Sequence, residues 1–146
     1  MVVNNTGESA DLRIGDISVG QHLLPQAIDM GLAGSIMIIL ATNAPVSSRQ
    51  LGRIARRATF GLARTGGIAH HSSGDYVIAF STVRPSSVFP EANLTPLFRA
   101  AIESTEEAII NSVLRAETMV GRDDNARYAI PIGEVKKLLS SGTRGT

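Results

Sequence analysis

The stretch Ser35–Thr42 constrains this chain more than any other. It reads SIMIILAT, apolar at nearly every position and rich in β-branched residues. That pattern predicts a strand buried on both faces. Asn43-Ala44-Pro45 ends it. Downstream, Ser47 to Thr65 predicts a helix with Leu51, Ile54, Ala55, Ala58 and Leu62 on its apolar face. Ser47 and Gln50 have the spacing of a capping box, in which each side chain satisfies a backbone N–H of the other residue. Gly66-Gly67 closes the helix, because glycine adopts a left-handed cap without steric cost. Ser72-Ser73-Gly74-Asp75 is a turn, and Tyr76 to Thr82 is a second strand.

The flanks follow the same rules. Leu12, Ile14, Ile17 and Val19 alternate with polar residues around Gly15-Asp16, which predicts two short strands about a turn. Gln21 to Gly34 ends in small residues and reads as an exposed linker. Val83 to Ala92 is loop. Thr95 as N-cap and Pro96 at the first helical position start a long helix to about Met119, and Gly121 to Asn125 breaks it. Ile132 to Ser140 forms a last short helix before a frayed tail. The expected order is ββ–β–α–β–α–α. Interleaved helices and strands around one core imply an α/β layered fold.

Composition narrows the chemistry. The chain has 146 residues, which is one domain's worth. Aromatics make up 4% and Trp is absent, so the core must come from Ile, Leu, Val, Ala and Met. There is no Cys, which removes disulfides, thiolate metal sites and cysteine nucleophiles. The histidines are His22, His70 and His71; with the charged pool thin and two of the three clustered at one place, no multi-histidine metal site is expected. The net charge of +1 gives no electrostatic case for nucleic acid or for a membrane surface. Arg49, Arg53, Arg56 and Arg57 read as a solvated helix face, and Glu103, Glu106 and Glu107 as another. No run approaches the roughly 20 apolar residues of a membrane span. Met1–Ala10 lacks the basic start and apolar stretch of a signal peptide, so the expected location is cytoplasmic.

The chemistry-bearing residues lie at strand mouths. Gly34-Ser35 places a hydroxyl at the start of the apolar strand, after a small residue. Such a serine can attack the preceding carbonyl in an N-to-O acyl shift. Hydrolysis would then leave Ser35 with both a hydroxyl and a free α-amine. An α-amine has a reference pKa of about 7.7–8.0, so one residue can supply nucleophile and base. Ser73-Gly74-Asp75 precedes the second strand and lies at the same sheet edge if the two strands are neighbours. A hydroxyl and a carboxylate there can hold the Ser35 ammonium. His70-His71 read as exposed loop residues.

Three segments, AGSIMIILATNAPVSSRQLGRIARRATFGLARTGG, SSGDYVIAFST and ESTEEAIINSVLRAETMVGRDDNARYAIP, strongly resemble the β-subunit of the DmpA-type aminopeptidases. These are the L-aminopeptidase/D-esterases and β-peptidyl aminopeptidases, and the resemblance runs from Asn5 to about Leu139. It implies an αββα sandwich of the type shared with the ornithine acetyltransferases, here only its C-terminal part. It implies one domain over 1–146, with 1–34 the end of the family's α-region and 35–146 the β-subunit region. Self-cleavage is expected between Gly34 and Ser35. Ser73 matches the assisting serine, and Asp75 its acidic partner. Asn5 matches the asparagine that stabilises the oxyanion, with Asn4 the other candidate and Thr6 in place of the family's aromatic.

The activity so implied is release of N-terminal residues from peptides or from amino acid amides and esters, without metal or organic cofactor. Family precursors are more than twice as long as this chain. The implied partners are therefore the missing α-portion and, when complete, further copies in a homo-oligomer. An active-site tyrosine belongs to that portion, and neither Tyr76 nor Tyr128 matches it. Two other functions stay open: a truncated, inactive structural piece, and an acyltransferase of the ornithine acetyltransferase type. The latter enzymes usually present Thr as nucleophile, where this chain has Ser35.

Overall fold

The computed structural model describes residues 1–5, 7–23 and 34–142. Most of the expected linker, residues 24–33, and the tail after 142 lie outside them. The elements are β1 (Val2–Asn4), α1 (Val19–Leu23), β2 (Ile36–Thr42), α2 (Ser48–Ala55), α3 (Ala58–Arg64), β3 (Tyr76–Ser81), α4 (Leu94–Arg115), β4 (Met119–Val120), β5 (Ala126–Arg127) and α5 (Ile132–Gly142). Short 3-10 turns cover Ser9–Asp11, Glu91–Asn93 and Arg122–Asp124. No helix among the described residues is long and apolar enough to cross a membrane.

β2 is the central strand of a three-stranded sheet ordered β1-β2-β3. β1 runs antiparallel to it, with Asn4 opposite Ile36. β3 runs parallel, from Met37 opposite Tyr76 to Thr42 opposite Ser81. A parallel neighbour needs a crossover, and α2 and α3 supply it. Because side chains alternate along a strand, Ile36 and Ile38 point to one face and pack with Ala58, Leu62 and Ile109 of α3 and α4. Burying each such side chain contributes about 1.5–3 kcal/mol. Met37 points the other way and is 41% exposed. The strand is thus covered on one face, not on both as its composition suggests. The described residues provide helices for one side only.

The capping box is present: Gln50 N–H donates to Ser47 Oγ, and Ser47 N–H donates to Gln50 Oε1 at 3.0 Å. The expected single helix is two. At Arg56–Arg57 the ladder tightens, and Arg57 N–H donates to the Ile54 carbonyl three residues back. The break lets α3 lie against α4. Gly61 sits at the contact, where a Cβ would overlap the Ile102 carbonyl and the Thr105 side chain. α3 ends as expected, with Gly67 N–H donating to Leu62 O and Gly66 N–H to Ala63 O. This is the Schellman arrangement, and Gly66 has φ +94°.

Ile14 and Ile17 pair across the Gly15-Asp16 turn as an isolated bridge. The second strand expected there is instead the start of α1. Gly20 is pressed so closely on the Ser9–Ala10 backbone that a Cβ would not fit, and its N–H donates to Leu12 O. The long helix starts at Leu94 with Thr95 and Pro96 inside its first turn, and stops at Arg115. Residues 116–118 are extended or irregular, and β4 and β5 pair as a small antiparallel hairpin.

Candidate functional site

The sheet topology gathers the predicted residues at one end. β2 and β3 are parallel neighbours, so the residues just before each strand share an edge. Antiparallel β1 delivers the residue just after it to the same edge. Ser35, Gly74 and Asn5 meet there. Ser35 N–H donates to Asn5 Oδ1 at 2.8 Å, and Asn5 N–H donates to Ser35 O at 3.1 Å. Gly74 N–H donates to Ser35 Oγ at 3.1 Å.

Alternation assigns faces to these groups. Ile36 points into the helices, so Ser35 points with Met37 toward the open side. Ser35 is exposed and Gly34 half-buried. Asn4 and Asn5 divide in the same way. Asn4 Oδ1 accepts from Ser112 Oγ of α4 at 3.1 Å, on the helix side, while Asn5 is engaged with Ser35. Of the two asparagines, Asn5 is the one in contact with the serine.

Ser73 Oγ donates to Asp75 Oδ1 at 2.6 Å. Neither side chain hydrogen-bonds Ser35. The link from this turn to the serine is the Gly74 backbone, a group that residue-type patterns do not reveal. A Cβ on Gly74 would stand 3.3 Å from Ser35 Oγ and 3.4 Å from a Tyr76 ring carbon, so a side chain there would crowd the hydroxyl.

Chemically the edge offers a hydroxyl held by a backbone donor, an amide nitrogen oriented by Asn5, and a hydroxyl–carboxylate pair one residue away on either side. Asn5 Oδ1 takes the Ser35 N–H, so the Asn5 amide nitrogen is the donor end of that side chain. A cavity of about 390 Å³ lies behind the edge, lined by Asn4, Asn5, Leu62, Ile109 and Ser112 among others. It sits on the helix side of the sheet, away from the face to which Ser35 points. No cluster of three or more His, Asp or Glu suited to a metal exists among the described residues.

The basic helix face is not simply solvated. Glu91 pairs with both Arg49 and Arg53, and Arg53 and Arg57 lie 5.2 and 4.0 Å from the Phe98 ring centroid. Glu106 pairs with Arg64 at 3.0 Å. His70, expected in solvent, is half-buried.

The family described as Peptidase family S58 matches residues 1–127. The beta-peptidyl aminopeptidase BapA of Sphingosinicella xenopeptidilytica is 31% identical over 97% of this chain and 41% of its own. Among solved structures, the PH0078 protein of Pyrococcus horikoshii OT3 superposes with a TM-score of 0.84 at 39% identity, over 97% of this chain and 42% of that one. The L-aminopeptidase D-Ala-esterase/amidase of Ochrobactrum anthropi, described as a variant of the Ntn hydrolase fold, gives 0.82 at 29% identity, over 99% and 44%. The fold is therefore part of an α/β Ntn-hydrolase architecture. The chain spans about two fifths of the length of each of these relatives.

Proposed function

The chain belongs to peptidase family S58, and from that premise we propose that it is the serine-bearing part of a self-processing N-terminal-nucleophile aminopeptidase or amidase. Residues 1–34 are then the end of the α-region and 35–146 the β-region. The observation that carries this reading is the convergence on Ser35: Asn5 on its nitrogen and Gly74 on its hydroxyl.

In the uncut chain the Ser35 nitrogen is an amide and cannot act as base. Ser35 Oγ attacks the Gly34 carbonyl, the acyl group moves from nitrogen to oxygen, and water cleaves the ester. The free amine then takes the hydroxyl proton as Oγ attacks the carbonyl of a substrate's N-terminal residue. Asn5 donates to the oxyanion. The amine returns the proton to the leaving amide nitrogen, and water resolves the acyl-enzyme. Ser73 and Asp75 set the position of the turn whose Gly74 N–H holds the nucleophile.

The α-portion of the family precursor is the partner that fits this chain. Val3, Tyr76, Ile78 and Phe80 leave an apolar sheet face more than 40% exposed at each position, the surface on which a second sheet would pack. The same exposure supports the second reading, in which the chain without that layer is structurally incomplete and inactive.

Intact mass under denaturing conditions separates the readings. Products Met1–Gly34 and Ser35–Thr146, absent in Ser35→Ala, are expected. A single unchanged mass from the chain both alone and co-expressed with an α-portion would sink the self-processing reading. Adding an amine acceptor to the assay distinguishes hydrolysis from acyl transfer.

A further inference from the structure

Gly74 leaves one corner of the open face empty. Side chains alternate along a strand, so Ser35 and Met37 share that face of β2. Tyr76 is the partner of Met37 across the parallel pair and stands on the same face. Gly74 lies two residues before Tyr76, and its N–H donates to Ser35 Oγ. Three corners of this square carry side chains and the fourth carries none. Two of the neighbours lean into the gap. A Cβ placed on Gly74 would stand 3.3 Å from Ser35 Oγ and 3.4 Å from Tyr76 Cε2. One vacant position therefore has the serine hydroxyl on one side and an aromatic ring edge on the other.

The ring is not spent on the core. Tyr76 is 62% exposed and its neighbour Met37 41%, while the cluster beneath the sheet is built from Ile36, Ile38 and their helix partners. A second layer can bury Ile78 and Phe80. It cannot seal the corner at Ser35 if a substrate is to reach the hydroxyl, and Tyr76 and Met37 border that corner. Apolar surface beside a reacting group favours an apolar part of the molecule that reacts there, because both leave water on contact.

We propose that Tyr76, with Met37 beside it, is the specificity-determining platform for the substrate's N-terminal residue, the one whose carbonyl Ser35 Oγ attacks. This rests on the reading of Ser35 as the nucleophile of an aminopeptidase. The platform takes a large apolar or aromatic side chain, which crosses the vacant corner at Gly74 and gains burial and ring contact on Tyr76. A side chain of one carbon is too short to cross that corner and gains little. A charged side chain would lose water there without finding a partner.

The test has two arms. In the chain completed by an α-portion, kcat/KM is measured for the p-nitroanilides of phenylalanine and alanine. Tyr76→Ala should lower the phenylalanine-to-alanine ratio about tenfold, with the loss for phenylalanine in KM rather than kcat. Tyr76→Phe should keep the ratio, because the ring and not the hydroxyl forms the platform. Ile78→Ala, two residues along the same face and away from Ser35, should keep it too. A ratio in Tyr76→Ala that rises, or that holds because both substrates lose equally, reduces the ring to packing and overturns the proposal. The second arm reads the geometry without catalysis. The chain has two tyrosines, Tyr76 and Tyr128, and both can be labelled as 3-fluorotyrosine. In the full chain carrying Ser35→Ala, the methyl added by Gly74→Ala should shift the fluorine signal of Tyr76 and leave that of Tyr128 in place. An unmoved Tyr76 signal puts the ring away from the corner and overturns the proposal, even where Tyr76→Ala fails to fold. A completed parent that cleaves neither anilide refutes the aminopeptidase reading instead, and the fluorine arm still decides where the ring stands.

Discussion

On one side of the sheet, Ile36 and Ile38 are sealed beneath α3 and α4, with 0% and 2% of their surface exposed. On the other, Met37, Ile78 and Tyr76 stand 41%, 53% and 62% exposed. The same strands supply both sets, and both sets are apolar. Composition therefore does not separate the faces; only the number of layers does. The covered face acts as a core and the open face as half of one. The difference also sorts the chemistry, because Ser35 and Asn5 belong to the open edge while Asn4 is tied to α4.

The sharpest way to break this comparison is to truncate one residue on each face. Ile38→Ala should cost about 2–5 kcal/mol of folding stability, the range for a buried large-to-small change. Ile78→Ala on the open face should cost less than about 1 kcal/mol in this chain, since little packed volume is lost. Urea unfolding of the two variants measures both. Equal losses would mean that the open face is already packed, and the two-face contrast would be wrong. Joined to an α-portion, Ile78→Ala should become costly as well.

The paired asparagines test the same contrast at the edge. On the function proposed above, and in the chain completed by an α-portion, Asn5→Ala should lower the rate of substrate hydrolysis about 10²–10³-fold, as removal of one oxyanion donor does. Asn4→Ala should leave that rate within a few-fold and instead cost about 1 kcal/mol of stability, the net worth of its bond to Ser112. Rate measurements beside unfolding curves would show the crossover. Were Asn4→Ala the slower enzyme, the assignment of Asn5 to the serine would fail.

Much of this arrangement is legible in the order of the residues alone. The apolar run after Gly34, the capping box at Ser47 and Gln50, the glycine cap at Gly66 and the strand after Asp75 all depend on local rules, and each stands where those rules put it. The departures have a common cause. The helix break at Arg56–Arg57 contains neither glycine nor proline and follows from α3 seating on α4. Helix α1 is five residues long, too short for any periodicity to show. The open face reads as buried because an apolar residue looks the same whether its cover lies within this chain or beyond it. At the site, residue types point to Ser35, Ser73 and Asp75, but the direct contact to the hydroxyl is a backbone N–H, which no residue-type pattern encodes. The approach of Glu8 to within 3.9 Å of His70 Nδ1 joins distant parts of the chain and is equally hidden.

A smaller effect should appear at the far end of the sheet, where the loop after β3 is clasped to α2. Gln50 Nε2–H donates to the Phe89 carbonyl at 2.9 Å and to Glu91 Oε1 at 3.1 Å, and Glu91 pairs with Arg49 and Arg53. Partial desolvation pushes the Glu91 carboxyl up, but the Gln50 hydrogen bond and the two arginines outweigh it and hold it below the ordinary value of 4.5. A carboxyl lowered by folding stabilises the folded state in its ionised form. That contribution is fully present above the unfolded value and is lost as pH falls through the lower folded one. Melting temperatures compared at pH 6 and pH 3 should therefore fall further for the parent chain than for Glu91→Gln, which has no carboxyl to protonate. The difference should be smaller than the effects at the sheet faces and at the asparagines, because exposed ion pairs contribute little. Two parallel melting curves against pH would show that the clasp adds nothing to the covered side of the sheet, and that the stability of that side rests on its apolar packing alone.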